Sequence, residues 1–495
     1  MHFSNLIRTL IQGGRNSRNL FRHSILLSCV LSIAPTGVWA QQAAEANNMA
    51  LVGTNDLQGR GAYQPVIEEQ NGRWIAYVGH HGGTPSNPKP INPLNGQHEF
   101  NGTSIIDVTN PAQPKYLAHI PGEEGMGESG GGQMARVCSG KQLPKGDPGK
   151  FYLLRVFGNH AHEIWDVSDP AKPNRIAEIT GVEGTHKNFW ECDTGIAYLV
   201  SGAPGWRVKR MTQVYDLSDP AKPVFIRNFG LPGQQPGATG PAPEGIHGAI
   251  SIGAAGNRVY FGYGTNQNGM LQIVDRNKLL TGPKEPTDAN LAFPEVGRLV
   301  LSPKNGSHTT FPIIGLDVPE FAKDKDSKRN FVLMVPESLV SGCTEPREMA
   351  WLADVTVENK PQVISNFTVP ESSGNFCSRG GRFGTHSSNE SFTPIYYKRI
   401  VFIAHFNAGV RAVDIRNPYA PKEIGFYIPA ATDKTYLACP AGTKEGSKDG
   451  CKAVIQTNNV EVDDRGYIYI VDRAGTGMHI LQLTGDARKI ANFPL

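Results

Sequence analysis

A short apolar phrase ending in Asp, with an Asx-Pro turn behind it, recurs along this chain, and its recurrence limits the fold more than any other feature of the sequence. The clearest copies are Ile105-Ile106-Asp107-Val108-Thr109-Asn110-Pro111, Ile164-Trp165-Asp166-Val167-Ser168-Asp169-Pro170, Val214-Tyr215-Asp216-Leu217-Ser218-Asp219-Pro220 and Val413-Asp414-Ile415-Arg416-Asn417-Pro418. Weaker copies stand at Ile273-Val274-Asp275 and Ala353-Asp354-Val355, and a last one around Ile480-Leu481-Gln482-Leu483 lacks the Asp. Each reads as a strand that turns where Pro fixes φ and the Asx side chain bonds its own turn, with a second apolar strand behind it, as in Arg175-Ile176-Ala177-Glu178-Ile179. Another hairpin precedes most copies, for example 249–252 followed by 258–262, so one unit has four strands in roughly 50 to 80 residues. Units of this kind are propeller blades. The sequence therefore predicts an all-β, seven-bladed β-propeller with four-stranded blades over about 51–495, with 49–53 as an extra strand closing the ring on the last blade. Two stacked β-sandwich domains are the competing arrangement, but the repeat runs on without the linker or break in composition that two domains need.

The phrases resemble the LVIVD-repeat family of β-propellers, through strands such as Gln272-Ile273-Val274-Asp275 and a D-x-S-D-P-x-x-P turn that 166–173 and 216–223 match. The similarity runs over nearly the whole chain after its first forty residues, with blades five and seven departing from the pattern. The resemblance implies the fold; it does not imply an activity, because propellers carry binding scaffolds and unrelated enzymes alike.

Residues 1–40 read as a signal peptide: Arg8, Arg15, Arg18 and Arg22 without an acidic residue, an apolar run over about 25–34, and a small-residue site at Val38-Trp39-Ala40. Cleavage after Ala40 leaves 41–495 as a single propeller domain of LVIVD-like repeats, exported to a periplasmic or secreted location. The apolar run is too short to span a membrane comfortably and no later stretch is longer, so no membrane span is expected. Without those four Arg the chain keeps 44 Lys and Arg against 45 Asp and Glu, a balance that attracts neither nucleic acid nor an anionic membrane. Cys29 leaves with the signal, and the remaining six cysteines suit an oxidising compartment. Cys439 and Cys451 flank a polar Gly/Lys loop and are expected to pair. Cys343 and Cys377 fall in loops on one face of a propeller, and Cys138 and Cys192 near the ends of adjacent inner strands, with other pairings still open. A metal-thiolate centre is the rival reading, and no C-x-x-C spacing supports it.

In a propeller the inner strand of each blade runs beside the axis, and the residue that opens it points inward. Here those positions read Gly184-Thr185-His186, Gly245-Ile246-His247, Gly306-Ser307-His308 and Gly384-Thr385-His386, in blades three to six. Blade two offers Gln133 and blade seven Asn459. The second hairpin connection of each blade opens on the same face and supplies His80, His81, His160 and His405 as rim candidates. Imidazole is the commonest ligand of zinc, copper and iron, so His186, His247, His308 and His386 are the candidate ligands of a transition metal (iron, copper or zinc). Glu183, Glu191, Glu244 and Glu390, close in sequence, are candidate acceptors for the outer N–H of those rings. Against this stand two plainer readings, in which each histidine bonds the backbone of the next blade or serves as an acid or base without metal.

Arg207, Lys209 and Arg210, and Arg379 and Arg382 just before His386, could hold an anionic ligand near this mouth but read first as solvating charges, Trp190, Trp206 and Trp351 as core aromatics that could instead wall the mouth, and the recurring Asp as turn caps. The charge run over 317–330 reads as a solvated connection, and P-loop, G-x-S-x-G, H-E-x-x-H and haem-attachment motifs are missing. The sequence thus points to an exported propeller with a histidine-lined axial site for a small-molecule ligand, a metal-dependent enzyme of oxidative or hydrolytic type. The alternative is a noncatalytic scaffold that uses the same face for a protein or surface polymer.

Overall fold

In the computed structural model, residues 43–494 are described, apart from 266–267, 303, 320–326, 347–348, 441 and 445–446. The signal-peptide reading of 1–40, Cys29 and the middle of the 317–330 charge run lie outside the described residues.

Seven antiparallel sheets form the predicted β-propeller. Blade 1 covers 62–120, blade 2 135–179, blade 3 188–229, blade 4 246–300, blade 5 309–367, blade 6 387–428 and blade 7 457–483. Each inner strand touches the inner strand of the next blade around the ring, and Thr457–Val462 of blade 7 meets Ala62–Gln70 of blade 1. The ring closes through Met49–Asn55, the outer strand of blade 7, with Met49 opposite Leu483 and Asn55 opposite Met478. Just before it, Glu45–Asn47 pairs with Lys422–Ile428 as a fifth strand of blade 6. The left-handed Asn48 between them donates from its side chain to the Ile424 carbonyl at 2.8 Å. One short segment thus fastens two blades.

The recurring Asp residues are caps. The carboxylates of Asp107, Asp166, Asp216, Asp354 and Asp414 each accept the backbone N–H two residues ahead, at 2.8–3.0 Å. Asp275 differs: it caps the helix Arg276–Thr281 by accepting from the Lys278 N–H, so the weaker phrase in blade 4 opens a helical insertion. The core lies between facing sheets, as where Tyr198, Val214, Val259, Phe261 and Val274 fill the space between blades 3 and 4. The outer strands Asn174–Ile179 and Val224–Phe229 begin exposed and end buried.

The six cysteines form three disulfides. Cys138–Cys192 joins blades 2 and 3, Cys343–Cys377 ties a connection of blade 5 to the segment entering blade 6, and Cys439–Cys451 closes a loop before blade 7. Among the described residues no helix is long and apolar enough to cross a membrane.

Candidate metal centre at the propeller axis

The histidines reach the axis because each sits at a β-bulge, where two residues of the inner strand oppose one of the next. In blade 3 the His186 N–H donates to the Val200 carbonyl, and the Lys187 carbonyl accepts from the Val200 N–H. His308 and Thr309 both face Val335, and His386 and Ser387 both face Ala404. The ladder of blade 4 slips between Ile246 and Gly248, leaving His247 as the extra residue. In blades 3 and 6 the residue before the histidine anchors the strand: the Thr185 hydroxyl donates to the Gly158 carbonyl at 3.0 Å and that of Thr385 to the Pro336 carbonyl at 2.9 Å. Gly184 adopts φ +60°, and a β-carbon there would stand 2.9 Å from the Lys209 carbonyl oxygen.

The four imidazoles are buried and stand in sequence around the axis, with centroids 4.6 Å apart for His186 and His247, 3.6 Å for His247 and His308, and 4.3 Å for His308 and His386. Three of the four outer nitrogens are tied down, and His186 Nδ1 has no hydrogen-bond partner. His247 Nδ1 donates to the His308 carbonyl at 3.1 Å and His386 Nδ1 to the Asn458 carbonyl at 2.6 Å. A carbonyl only accepts, so in these neutral rings Nε2 is left with its lone pair. His308 Nδ1 lies 2.9 Å from the Thr309 hydroxyl. The two sequence readings are therefore compatible: a ring can bond the neighbouring blade through Nδ1 and still present Nε2 to the axis. His186 Nε2 stands 2.8 Å from His247 Nε2.

Tyr63, which the sequence reading overlooked, sits among these rings. Its hydroxyl is 3.3 Å from His186 Nε2 and 3.4 Å from His308 Nε2, and its ring meets that of His386 edge-on. It occupies the same bulge of blade 1, and Gly61-Ala62-Tyr63 repeats the Gly-x-His spacing with another aromatic residue. Glu337 was also missed. Its carboxylate oxygen lies 3.5 Å from His386 Nε2, and ligand atoms of His247, His308 and Glu337 all fall within 4.8 Å of one another. Glu337 belongs to the second hairpin connection of blade 5, the place where blade 1 carries His81 and blade 6 His405. A search of those connections for carboxylates as well as histidines would have found it.

Burial holds all four histidines well below the usual imidazole pKa, and nearby cations, Arg210 and Lys187 for His186 and Arg473 for His386, push the same way. Tyr63 is driven well above its ordinary value, first by burial and then by Glu337. Glu337 itself is raised by burial, which Arg382 and Arg473 oppose. At neutral pH the centre is thus a set of neutral rings and a protonated phenol beside one carboxyl group.

Other expectations are corrected. The axial residue of blade 7 is Asn458, at the bulge between Thr457 and Asn459, while the Asn459 amide bonds Gln64. None of the four glutamates takes up a ring N–H among the described contacts. Glu390 pairs with Lys187 and Arg136, Glu191 with Arg276, Glu244 accepts from Asn268, and Glu183 bridges to Gly202 through its backbone. Closeness in sequence misled here, because backbone carbonyls reach the rings first. Of the rim candidates, His81 and His405 are buried, whereas the side chain of His160 is 50% exposed and paired with Glu123 at 3.2 Å. His80 bonds the Ser104 hydroxyl at 2.8 Å. Arg210 and Arg382, read as solvating, are partly buried and paired with Glu128 and Glu337. Trp190 does not wall the mouth. It lines a cavity of about 530 Å³ at the far end of the inner strands, with Phe189, Phe392 and Tyr397.

No family model matches this chain, and no curated protein matches it. Among solved structures it is similar to a hypothetical selenium-binding protein from Sulfolobus tokodaii, at 14% identity and a TM-score of 0.48, over 77% of this chain and 80% of that one. It is also similar to Sqt1 of Chaetomium thermophilum, at 9% identity and a TM-score of 0.45, over 88% of this chain and 98% of that one.

Proposed function

We propose that this protein is an exported enzyme whose axial His186, His247, His308 and His386 hold a transition metal and which carries out oxidative or hydrolytic chemistry on a small molecule entering at the mouth. The observation that carries this reading is the tautomer pattern: Nδ1 of His247 and of His386 is spent on a carbonyl, so that their lone pairs at Nε2 are left for the interior of the cluster. A purely structural role accounts for the Nδ1 bonds and for the 2.8 Å hydrogen bond between Nε2 of His186 and of His247, but not for ligand atoms of His247, His308 and Glu337 gathered within 4.8 Å of one another. An iron, copper or zinc ion there would supply Lewis acidity or a means of activating water or oxygen. Glu337 is a fifth candidate ligand. Tyr63, kept protonated by burial, holds a proton at its hydroxyl beside His186 and His308, where it can bond an oxygen or nitrogen of a bound substrate. The repeats are read as LVIVD-type, and three disulfides support an extracytoplasmic location.

Metal analysis of the protein purified from its native compartment tests the reading. Stoichiometric zinc, copper, iron or manganese is expected, with loss of the metal in H247A and H308A. Protein free of these metals that keeps its ligand binding would leave a noncatalytic binding propeller as the account of this face.

A further inference from the structure

The lip of the axial mouth carries more cationic groups than it has carboxylates to pair them. Arg382 Nη1 donates to Glu337 Oε1 at 3.0 Å, and Arg473 Nη1 approaches the same oxygen only to 3.6 Å, too long for a hydrogen bond. Two guanidinium groups thus share one carboxylate, and that carboxylate also faces His386. Arg473 Nη1 is buried without a hydrogen-bond acceptor. Burial and then the repulsion of Arg382 bring the Arg473 guanidinium down to about 10, with Glu337 and Glu128 opposing the shift.

A second orphan stands beside it. His81 is 4% exposed, and neither of its ring nitrogens has a hydrogen-bond partner. Its ring meets Tyr63 edge-on, with centroids 5.2 Å apart, and after burial Arg473 is the strongest influence on it. Gly61 holds the group together: its carbonyl accepts the His81 N–H, and a β-carbon at Gly61 would stand 2.7 Å from the Arg473 carbonyl oxygen. Buried donors without acceptors are costly, and a guanidinium is best satisfied by a planar oxyanion that takes two of its N–H groups.

We propose that Arg473, Arg382 and His81 form an anion site that seats the carboxylate of a small substrate against the histidine centre, with Tyr63 between the two. This rests on the reading of the axial cluster as the reactive centre and adds the substrate class, a small carboxylic acid. Such an anion would relieve the repulsion between the two guanidinium groups and give the unpaired Arg473 N–H an acceptor.

The test is an NMR titration of the purified protein with 13C-labelled acetate, and with acetamide as its neutral isostere, with metal content measured on every preparation. Acetate should bind saturably and at least about tenfold more tightly than acetamide, and R473Q should lose at least about tenfold in acetate affinity. R473K keeps the charge without the fork and should lose less, and R382Q should also weaken binding. Thermal unfolding of each variant identifies any that fail to fold, in which case R473K and R382Q decide. Equal binding of acetate and acetamide, or unchanged acetate affinity in the folded Arg variants, overturns the proposal. So does acetate binding that disappears in metal-free H247A but persists in R473Q, because the anion would then sit on the metal. Binding that survives in metal-free H247A and is lost in R473Q supports the anion site. Should the wild-type protein carry no metal, the same pattern would uphold the anion site while the metal reading fell.

Discussion

Two neighbouring layers of the axis are built from adjacent residues and end in opposite states. In the charged layer, Lys187 Nζ donates to Glu390 at 2.7 Å, Arg136 pairs with the same carboxylate, and Glu461 accepts the N–H groups of Glu390 and Ser391 at 2.8 and 3.1 Å. Blades 2, 3, 6 and 7 each contribute, and the set is closed. In the histidine layer, His247 and His386 are satisfied on their outer nitrogen, while the inner nitrogens meet chiefly one another, Tyr63 and Glu337. The bulge at His186 and Lys187 gives one residue to each layer. Gly248 lets Lys187 cross, since a β-carbon there would stand 3.2 Å from the lysine stem. The first layer satisfies itself and fastens four blades, whereas the second leaves His186 Nδ1 without a partner.

The comparison breaks most visibly at Glu390. Burial raises its pKa, but Lys187 and then Arg136 outweigh this and bring it to about 2. E390A would leave two buried cations unpaired, and a loss of about 3–5 kcal/mol in denaturant unfolding is expected, with or without metal. A loss below about 1 kcal/mol would mean that water already serves this layer and that it is not closed.

The histidine layer should respond to metal instead. Adding the bound metal at a hundredfold excess over its dissociation constant should stabilise the apo protein by about 2.7 kcal/mol. H247A should remove most of this gain. Equal stabilisation of wild type and H247A would place the metal elsewhere.

Glu461 gives a smaller, pH-dependent effect. Burial, and after it the Glu390 carboxylate, raise its pKa from 4.5 to about 8. The folded protein therefore keeps a proton that the unfolded chain releases above about 4.5, so this group's contribution to stability falls as pH rises from there to about 8. Between about pH 6.5 and 7.5 the loss is at most about 1.4 kcal/mol. E461Q, whose amide oxygen can still accept both backbone N–H groups, should flatten that slope. An unchanged slope in unfolding measured across this range would show that Glu461 is ionised in the fold.

What the sequence revealed was what repeats. The Asp-Asx-Pro phrase recurs because blades 1, 2, 3 and 6 share one turn, and Gly-x-His recurs because the inner strands of blades 3 to 6 share one bulge. Tyr63 keeps the spacing with another ring, so it was visible to a search for position and hidden from a search for histidine. Glu337 and Arg473 lie in connections of unequal length, 336–349 in blade 5 and 473–477 in blade 7, and no spacing marks them. Glu45–Asn47 is three residues long and mostly exposed, too short for an alternating pattern. The nearby glutamates carried the opposite hazard, a sequence neighbourhood that the fold does not convert into contact.

The smallest effect tests the other once-per-blade residue, the Asp of the repeated phrase. Asp166 Oδ1 accepts the Ser168 N–H at 3.0 Å and its hydroxyl at 2.6 Å, and the Ser168 hydroxyl in turn accepts the Phe151 N–H at 3.1 Å. One carboxylate thus holds a turn and ties it to the strand beside it. The Lys150 amino group, 2.9 Å away, is largely exposed and adds little. D166A should cost about 1 kcal/mol, the net worth of a turn-capping hydrogen bond, and D166N less, because the amide oxygen can still accept. Neither change should alter metal content or acetate affinity, because the phrase lies on the outer side of the blade. A D166A protein as stable as wild type would show that the Asx-Pro turn holds without its cap. A D166A protein that lost metal would show that a cap in the outer hairpin sets the geometry of the axis, and would end the separation between residues that repeat to build the blade and residues that repeat to build the site.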